Sequence, residues 1–150
     1  MSHDAAALGG EITTFLAALG QHEDSLELLE VITLAGPRME RHERVQDGVT
    51  WTTLVFAPQG VTVQIRDGVI VAIRIDIVDE DGGVYGQPQS LIAGLSLPAT
   101  KAELRAVLGA PTQALDSLDL FRLGDRYLSA DLAGDQVVAV SVLLSGVAPA

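Results

Sequence analysis

One order of elements recurs along the chain: a capped amphipathic helix, a Gly/Pro break, then short stretches of alternating polarity. Asp24-Ser25-Leu26-Glu27 opens an apolar run closed by Ala35-Gly36-Pro37, and Thr100-Lys101-Ala102-Glu103 opens another closed by Gly109-Ala110-Pro111. A small polar residue followed three positions later by Glu satisfies the unpaired N–H groups of a helix start, and Gly with a nearby Pro stops the helix. Each break precedes a strand-rich stretch that ends in an apolar segment, residues 69–78 and 137–144. Two such units sharing a sheet predict an α+β fold of two layers, with tandem helix-plus-meander repeats and helices packed on one face of an antiparallel sheet. The expected division of this single domain (residues 1–150) is repeat 1 at about 11–78, a connector at 79–97 and repeat 2 at about 98–144.

A first helix is predicted over 11–19, where Ile12, Phe15, Leu16 and Leu19 recur at helical spacing before Gly20. In the second, Asp24 is the expected N-cap, Leu26, Leu29, Ile32 and Thr33 form the stripe, and Glu30 faces water. Residues 38–45 carry charge on both faces, as suits an exposed edge strand. Asp47-Gly48 and Asp67-Gly68 are tight-turn signals. Between them Leu54 and Phe56 share a face opposite Trp51, Thr53 and Val55, and Val61, Val63 and Ile65 oppose Thr62, Gln64 and Arg66. Val69, Val71, Ile73, Ile75 and Ile77 are expected to point inward against Arg74 and Asp76. Later strands are predicted at 118–123, 126–132 and 137–144, with Val138, Val140, Val142 and Leu144 inward and the tail from Ser145 frayed.

With 150 residues the chain is long enough to bury a core without staples. Although 48% of residues are hydrophobic, no run approaches the ~18 apolar residues of a membrane span. No basic stretch followed by an apolar one opens the sequence, so a cytoplasmic location is expected. The absence of Cys excludes disulfides, thiol nucleophiles and thiolate metal sites. Twenty acids against nine bases give a net charge of −11, which disfavours nucleic acid and anionic membranes and favours a basic partner. The charge is uneven: residues 1–37 hold six acids and no Lys or Arg, whereas Arg38, Arg41, Arg44, Arg66 and Arg74 follow.

The string Ala99-Thr100-Lys101-Ala102-Glu103-Leu104 leading to Leu108-Gly109-Ala110-Pro111, then a hairpin and a closing apolar strand, resembles the repeat of β-lactamase-inhibitor-protein-like domains and small outer-membrane assembly lipoproteins. In those families a T-x-x-E-(V/L)…LG-x-P helix precedes a short antiparallel sheet. The likeness covers about residues 96–144 in order and 24–78 more loosely, where Leu34-Ala35-Gly36-Pro37 varies the ending. It implies a fold, and protein binding through the sheet rather than catalysis. The sequence has no Cys for a lipobox or a disulfide, which argues against the lipoprotein branch, and with no signal peptide expected either, the inhibitory function of the secreted branch does not carry over.

Catalytic and metal-binding patterns are missing. His3, His22 and His42 have no paired spacing suited to a metal. Asp79-Glu80-Asp81-Gly82 lacks the alternating acids and distant Glu of a calcium loop. Ser25, Ser90, Ser117, Ser129, Ser141 and Ser145 lie in no nucleophile elbow, and neither glycine-rich phosphate-loop pattern occurs. The expectation is therefore a protein that is not an enzyme and needs no cofactor.

The constellation that remains is on the polar sheet face, where Trp51, Thr53, Arg66, Arg74, Tyr127 and Asp131 all fall opposite the inward rows. Aromatic and Arg-rich surfaces have the composition of interface hot spots. The alternative is that Trp51 is covered by residues 84–97 or by a dimer mate. The reading is a non-enzymatic protein-binding module, of immunity or inhibitor type, acting on a basic partner through the open sheet face. Two others stand beside it: an acidic dimeric chaperone or adaptor exposing apolar surface along 11–19, and a small-ligand domain with a pocket between helices and sheet.

Overall fold

The computed structural model describes residues 9–36, 38–56, 59–78 and 84–144. Along them run α1 (Ile12–Ala18), α2 (Leu26–Ala35), β1 (Glu40–Gln46), β2 (Val49–Phe56), β3 (Val61–Arg66), β4 (Val69–Asp76), α3 (Pro88–Leu91), α4 (Lys101–Leu108), β5 (Gln113–Leu115), β6 (Leu118–Leu123), β7 (Arg126–Ala133) and β8 (Gln136–Leu143). The strands form one eight-stranded sheet in the order β1-β2-β3-β4-β8-β7-β6-β5, with every neighbour antiparallel. The fold is α+β. Two helices followed by four successively paired strands occur twice, and β4 against β8 is the seam between the two sets of strands.

Turn chemistry sets the register. Asp47 and Gly48 have φ of 55° and 79°, and Asp67 and Gly68 of 47° and 83°. Positive φ at both central residues is what a two-residue turn matching strand twist requires. The first turn therefore places Gln46 against Val49 and Arg44 against Trp51.

Both last strands carry a bulge at the third residue. Gln64 faces Ala72 but Ile65 faces Ile70, leaving Val71 extra, and Asp131 faces Ala139 but Leu132 faces Val137, leaving Val138 extra. This corrects the inward rows expected from strict alternation. Ile70, Ile73, Ile75 and Ile77 are buried whereas Val69 and Val71 are only half-buried, and Val137 takes the place expected of Val138. Val140 and Val142 are buried as expected, and Leu144 packs partly buried against the cluster.

The same contacts tie each set's helix entry to its last strand. Segments around His22 and Thr100 bridge Val69 and Gln136, the first residues of β4 and β8. The next N–H groups, of Glu23 and Lys101, donate to Gly68 and Asp135, both at 2.8 Å, and Ile70 and Val137 donate to Gln21 and Ala99 at 2.9 and 2.8 Å.

Ile12, Phe15, Leu16, Ala18 and Leu19 are buried, which removes the exposed apolar surface expected along the first helix. In α2 the stripe is corrected: Leu28, Val31 and Ala35 are buried and Leu26 and Leu29 are exposed. The run Leu-Glu-Leu-Leu-Glu-Val-Ile-Thr-Leu-Ala is apolar on more than one face, so packing, not periodicity, selects the buried one. Its N-cap is Ser25, whose Oγ accepts the Leu28 N–H at 3.3 Å, rather than Asp24. α4 starts as read: Thr100 Oγ1 accepts the Glu103 N–H at 3.2 Å and Glu103 Oε1 accepts the Thr100 N–H at 3.0 Å. Between the two sets of strands, Tyr85, Leu91, Ile92, Leu95 and Leu97 belong to the same hydrophobic cluster as Phe15, Phe56, Ile75 and Val140. The expected acidic loop at 79–83, His3 and the tail from Ser145 lie outside the described residues.

Because the capping box satisfies two orphan donors at once, Thr100→Ala should cost about 1 kcal/mol. Urea unfolding monitored by circular dichroism should show a lower midpoint with an unchanged slope.

Candidate functional site

Cross-strand pairing places all six expected site residues on the sheet face opposite the core rows. Trp51 faces Arg66 directly and Arg44 on its other side. Both guanidinium carbons lie 5.9 Å from the indole centroid, so the half-buried ring is flanked by two cations. Thr53 heads a row through Gln64, Ala72 and Leu143 to Tyr127 and Arg122. Its Oγ1 donates to Gln64 Oε1 at 2.9 Å. At a strand spacing of ~4.8 Å, Thr53 and Tyr127 stand about 19 Å apart. Arg74 pairs with Asp76 at 3.0 Å and, across two strands, with Asp131. Burial opposes the Arg74 charge, but the Asp131 hydrogen bond and the charges of Asp131 and Asp76 outweigh it and raise its pKa above the ordinary value.

Three clusters thus line the face: Trp51 with Arg66, Arg74 with Asp131, and Tyr127 between Leu143 and Arg122. Sequence reasoning missed Arg44 and Arg122. Arg44 was recoverable, since a two-residue Asp47-Gly48 turn fixes its pairing with Trp51. Residues 84–97 contribute buried side chains to the core cluster, and the groups against Trp51 are arginines rather than this connector.

The face is not where the negative charge sits. Arg44, Arg66, Arg74 and Arg122 share it with Glu40, Asp76 and Asp131, so four of the nine bases meet three of the twenty acids there.

Two polar features lie on the core side. Asp119, 0% exposed, accepts from Arg105 Nε and Nη2, both at 2.9 Å, tying α4 to β6. A bidentate pair of this kind satisfies a carboxylate that could not otherwise be buried. Glu11, Thr33, Leu34, Gln59, Tyr85, Gly86 and Gln87 line a cleft of about 320 Å³, in which Tyr85 Oη donates to Glu11 Oε1 at 2.6 Å. Among the described residues no cluster of His, Asp or Glu could hold a metal ion, and no helix is long and apolar enough to cross a membrane. No protein family, no curated protein and no solved structure matches this chain.

Burial, then the hydrogen bond and charge of Glu11, push the Tyr85 phenol well above its ordinary value of 10.0. The folded state then holds this proton where the unfolded chain releases it. The contribution to stability is complete below about pH 10 and is lost as pH rises beyond it. Unfolding free energy measured from pH 8 to 11 should fall at the alkaline end, and Tyr85→Phe should flatten that fall.

Proposed function

We propose that this chain is a non-enzymatic protein-binding module built as two helix-plus-meander repeats, with helices on one side of the joined sheet and a partner on the other. The duplicated element order supports the repeat, as do the bulge at the third residue of β4 and β8 and the matched contacts at Val69 and Gln136. The resemblance to β-lactamase-inhibitor-protein-like domains implies the same build, and an inhibitor or immunity role is the form of binding we favour.

The observation that carries the reading is Trp51 held between Arg44 and Arg66 on a face that also presents Arg74 and Tyr127. A half-exposed Trp with cations on both sides is ordered before a partner arrives, so docking costs little side-chain entropy. The face's charges suit a partner surface bearing carboxylates and aromatic or apolar groups. A strongly basic partner, expected from net charge alone, is better matched by the acids outside this face.

Capture of partners from native lysate, identified by mass spectrometry, tests both versions. Trp51→Ala and Arg74→Ala should each weaken a sheet-face complex by roughly 2 kcal/mol, as truncating hot spots does, with the melting temperature nearly unchanged. A basic partner on the acidic side would instead ignore these changes and respond to Glu27→Gln with Glu30→Gln and to salt. A large loss of stability in Trp51→Ala would make the residue structural and end the proposal.

The polar cleft around Glu11 and Tyr85 favours a second reading, a small-ligand domain. Its volume is at the low end for ligand pockets, and Glu11 is already engaged by Tyr85. Native mass spectrometry of the purified protein should then show a retained small molecule that Glu11→Gln releases.

A further inference from the structure

The β1 edge carries a pattern that the partner-binding reading does not use. All seven residues of β1 are exposed, and the strand ends the sheet, pairing only with β2 among the described residues. Charges on such an edge ordinarily discourage pairing with another chain. Here their order does the reverse for one specific guest.

Met39-Glu40-Arg41-His42-Glu43-Arg44-Val45 is complementary to its own reversal about His42. In an antiparallel pair, facing residues share a face of the sheet, so a two-fold arrangement must be centred on a residue. Centred on His42, Glu40 faces Arg44, Arg41 faces Glu43 and Met39 faces Val45, each twice. Centring on Arg41 sets Arg41 against itself and Arg38 against Arg44. Centring on Glu43 sets Glu43 against itself and His42 against Arg44. Opposite charges across strands stabilise and like charges destabilise, so one register is favoured and its neighbours are penalised.

One further observation points the same way. Met39 and Val45 are 44% and 72% exposed, among the few large apolar side chains left in water. Within one copy Arg41 pairs with Glu43 at 2.9 Å and His42 with Glu40 at 3.4 Å, so the facing strands would extend these pairs into a ladder across the two-fold. We propose that β1 is a self-pairing edge, and that a second copy of this chain adds its own β1 antiparallel across a two-fold axis at His42. The axis runs perpendicular to the sheet, so both copies present their Arg/aromatic faces on the same side. Glu40 of one copy then stands beside Arg44 of the other, next to Trp51.

The test is sedimentation velocity of the full chain over a micromolar concentration series. The unaltered protein should dimerise reversibly, less so in high salt. Glu40→Arg and Arg44→Glu should each weaken the dimer roughly tenfold or more. The double variant should recover it, and an equimolar mixture of the two single variants should form a heterodimer. Because the chain has no Cys, His42→Cys supplies a register check. Facing Cα atoms lie ~4.5–5.5 Å apart, within disulfide reach, and only position 42 meets itself. Oxidation should link His42→Cys into a dimer and leave Gln46→Cys unlinked. A monomer at every concentration overturns the proposal, as does a dimer indifferent to the charge reversals or an unlinked His42→Cys. Partner capture by a monomeric variant would leave the binding reading intact, so the two can fail separately.

Discussion

The pairing of β4 with β8 is the constraint on which the rest of the molecule depends. It sets Ile73 against Val142 and Ile75 against Val140, four buried side chains more than 60 residues apart in sequence across each pair. Without that seam the first four strands and the last four would each expose an apolar flank. Each such side chain is worth about 1.5–3 kcal/mol when taken from water, so the seam is an energetic centre as well as a topological one. Ile77 and Val78, just beyond β4, add to it by donating to the Val138 carbonyl at 2.8 and 3.0 Å, at the bulged residue of β8.

Once the seam is fixed, the period of two along each strand divides the chemistry of the chain. Buried inward positions must be apolar or fully paired, and the one buried acid among the described residues, Asp119, has both oxygens bonded by Arg105. The outward face buries Ala72, Ala139, Ser129 and Leu143 at its centre, and around them the chain places four arginines, Trp51 and Tyr127. A net charge of −11 is therefore a poor guide to what this surface would meet. The excess acid lies elsewhere, and at physiological ionic strength charges more than ~8 Å from a contact are largely screened. Binding on this face, as we propose it, depends on local Arg and aromatic geometry.

Much of this was legible in the sequence because it rests on local rules. The Asp-Gly turns, the Thr100–Glu103 capping box and the alternation in β2 and β3 are short-range signals, and together they put Trp51, Thr53, Arg66, Arg74, Tyr127 and Asp131 on one face. What stayed hidden depends on packing. Val71 and Val138 are apolar whether or not they are bulged, so nothing in their identity marks the slip that puts Ile70 and Val137 inward. α2 is apolar on several sides, and contact with the rest of the core, not its own periodicity, chose Leu28 over Leu29. The three exposed residues of β5 are too few to show a period at all. Arg44 was overlooked because charge on an edge strand has an ordinary explanation in solubility, which hid its place against Trp51.

That ordinary explanation is also incomplete for β1. A charged edge excludes strangers only if their charges conflict with it, and the identity of the guest decides whether they do. A strand that alternates acid, base, His, acid, base in that order repels most registers of most strands, including shifted copies of itself, yet accepts one alignment of its own reversal. Protection against aggregation and permission for one defined dimer are then the same arrangement of charges. The edge nearest the Trp51 stack is where a second copy would do most to the proposed site, because one added strand brings Glu40 within a strand spacing of Arg44 without disturbing the core behind it.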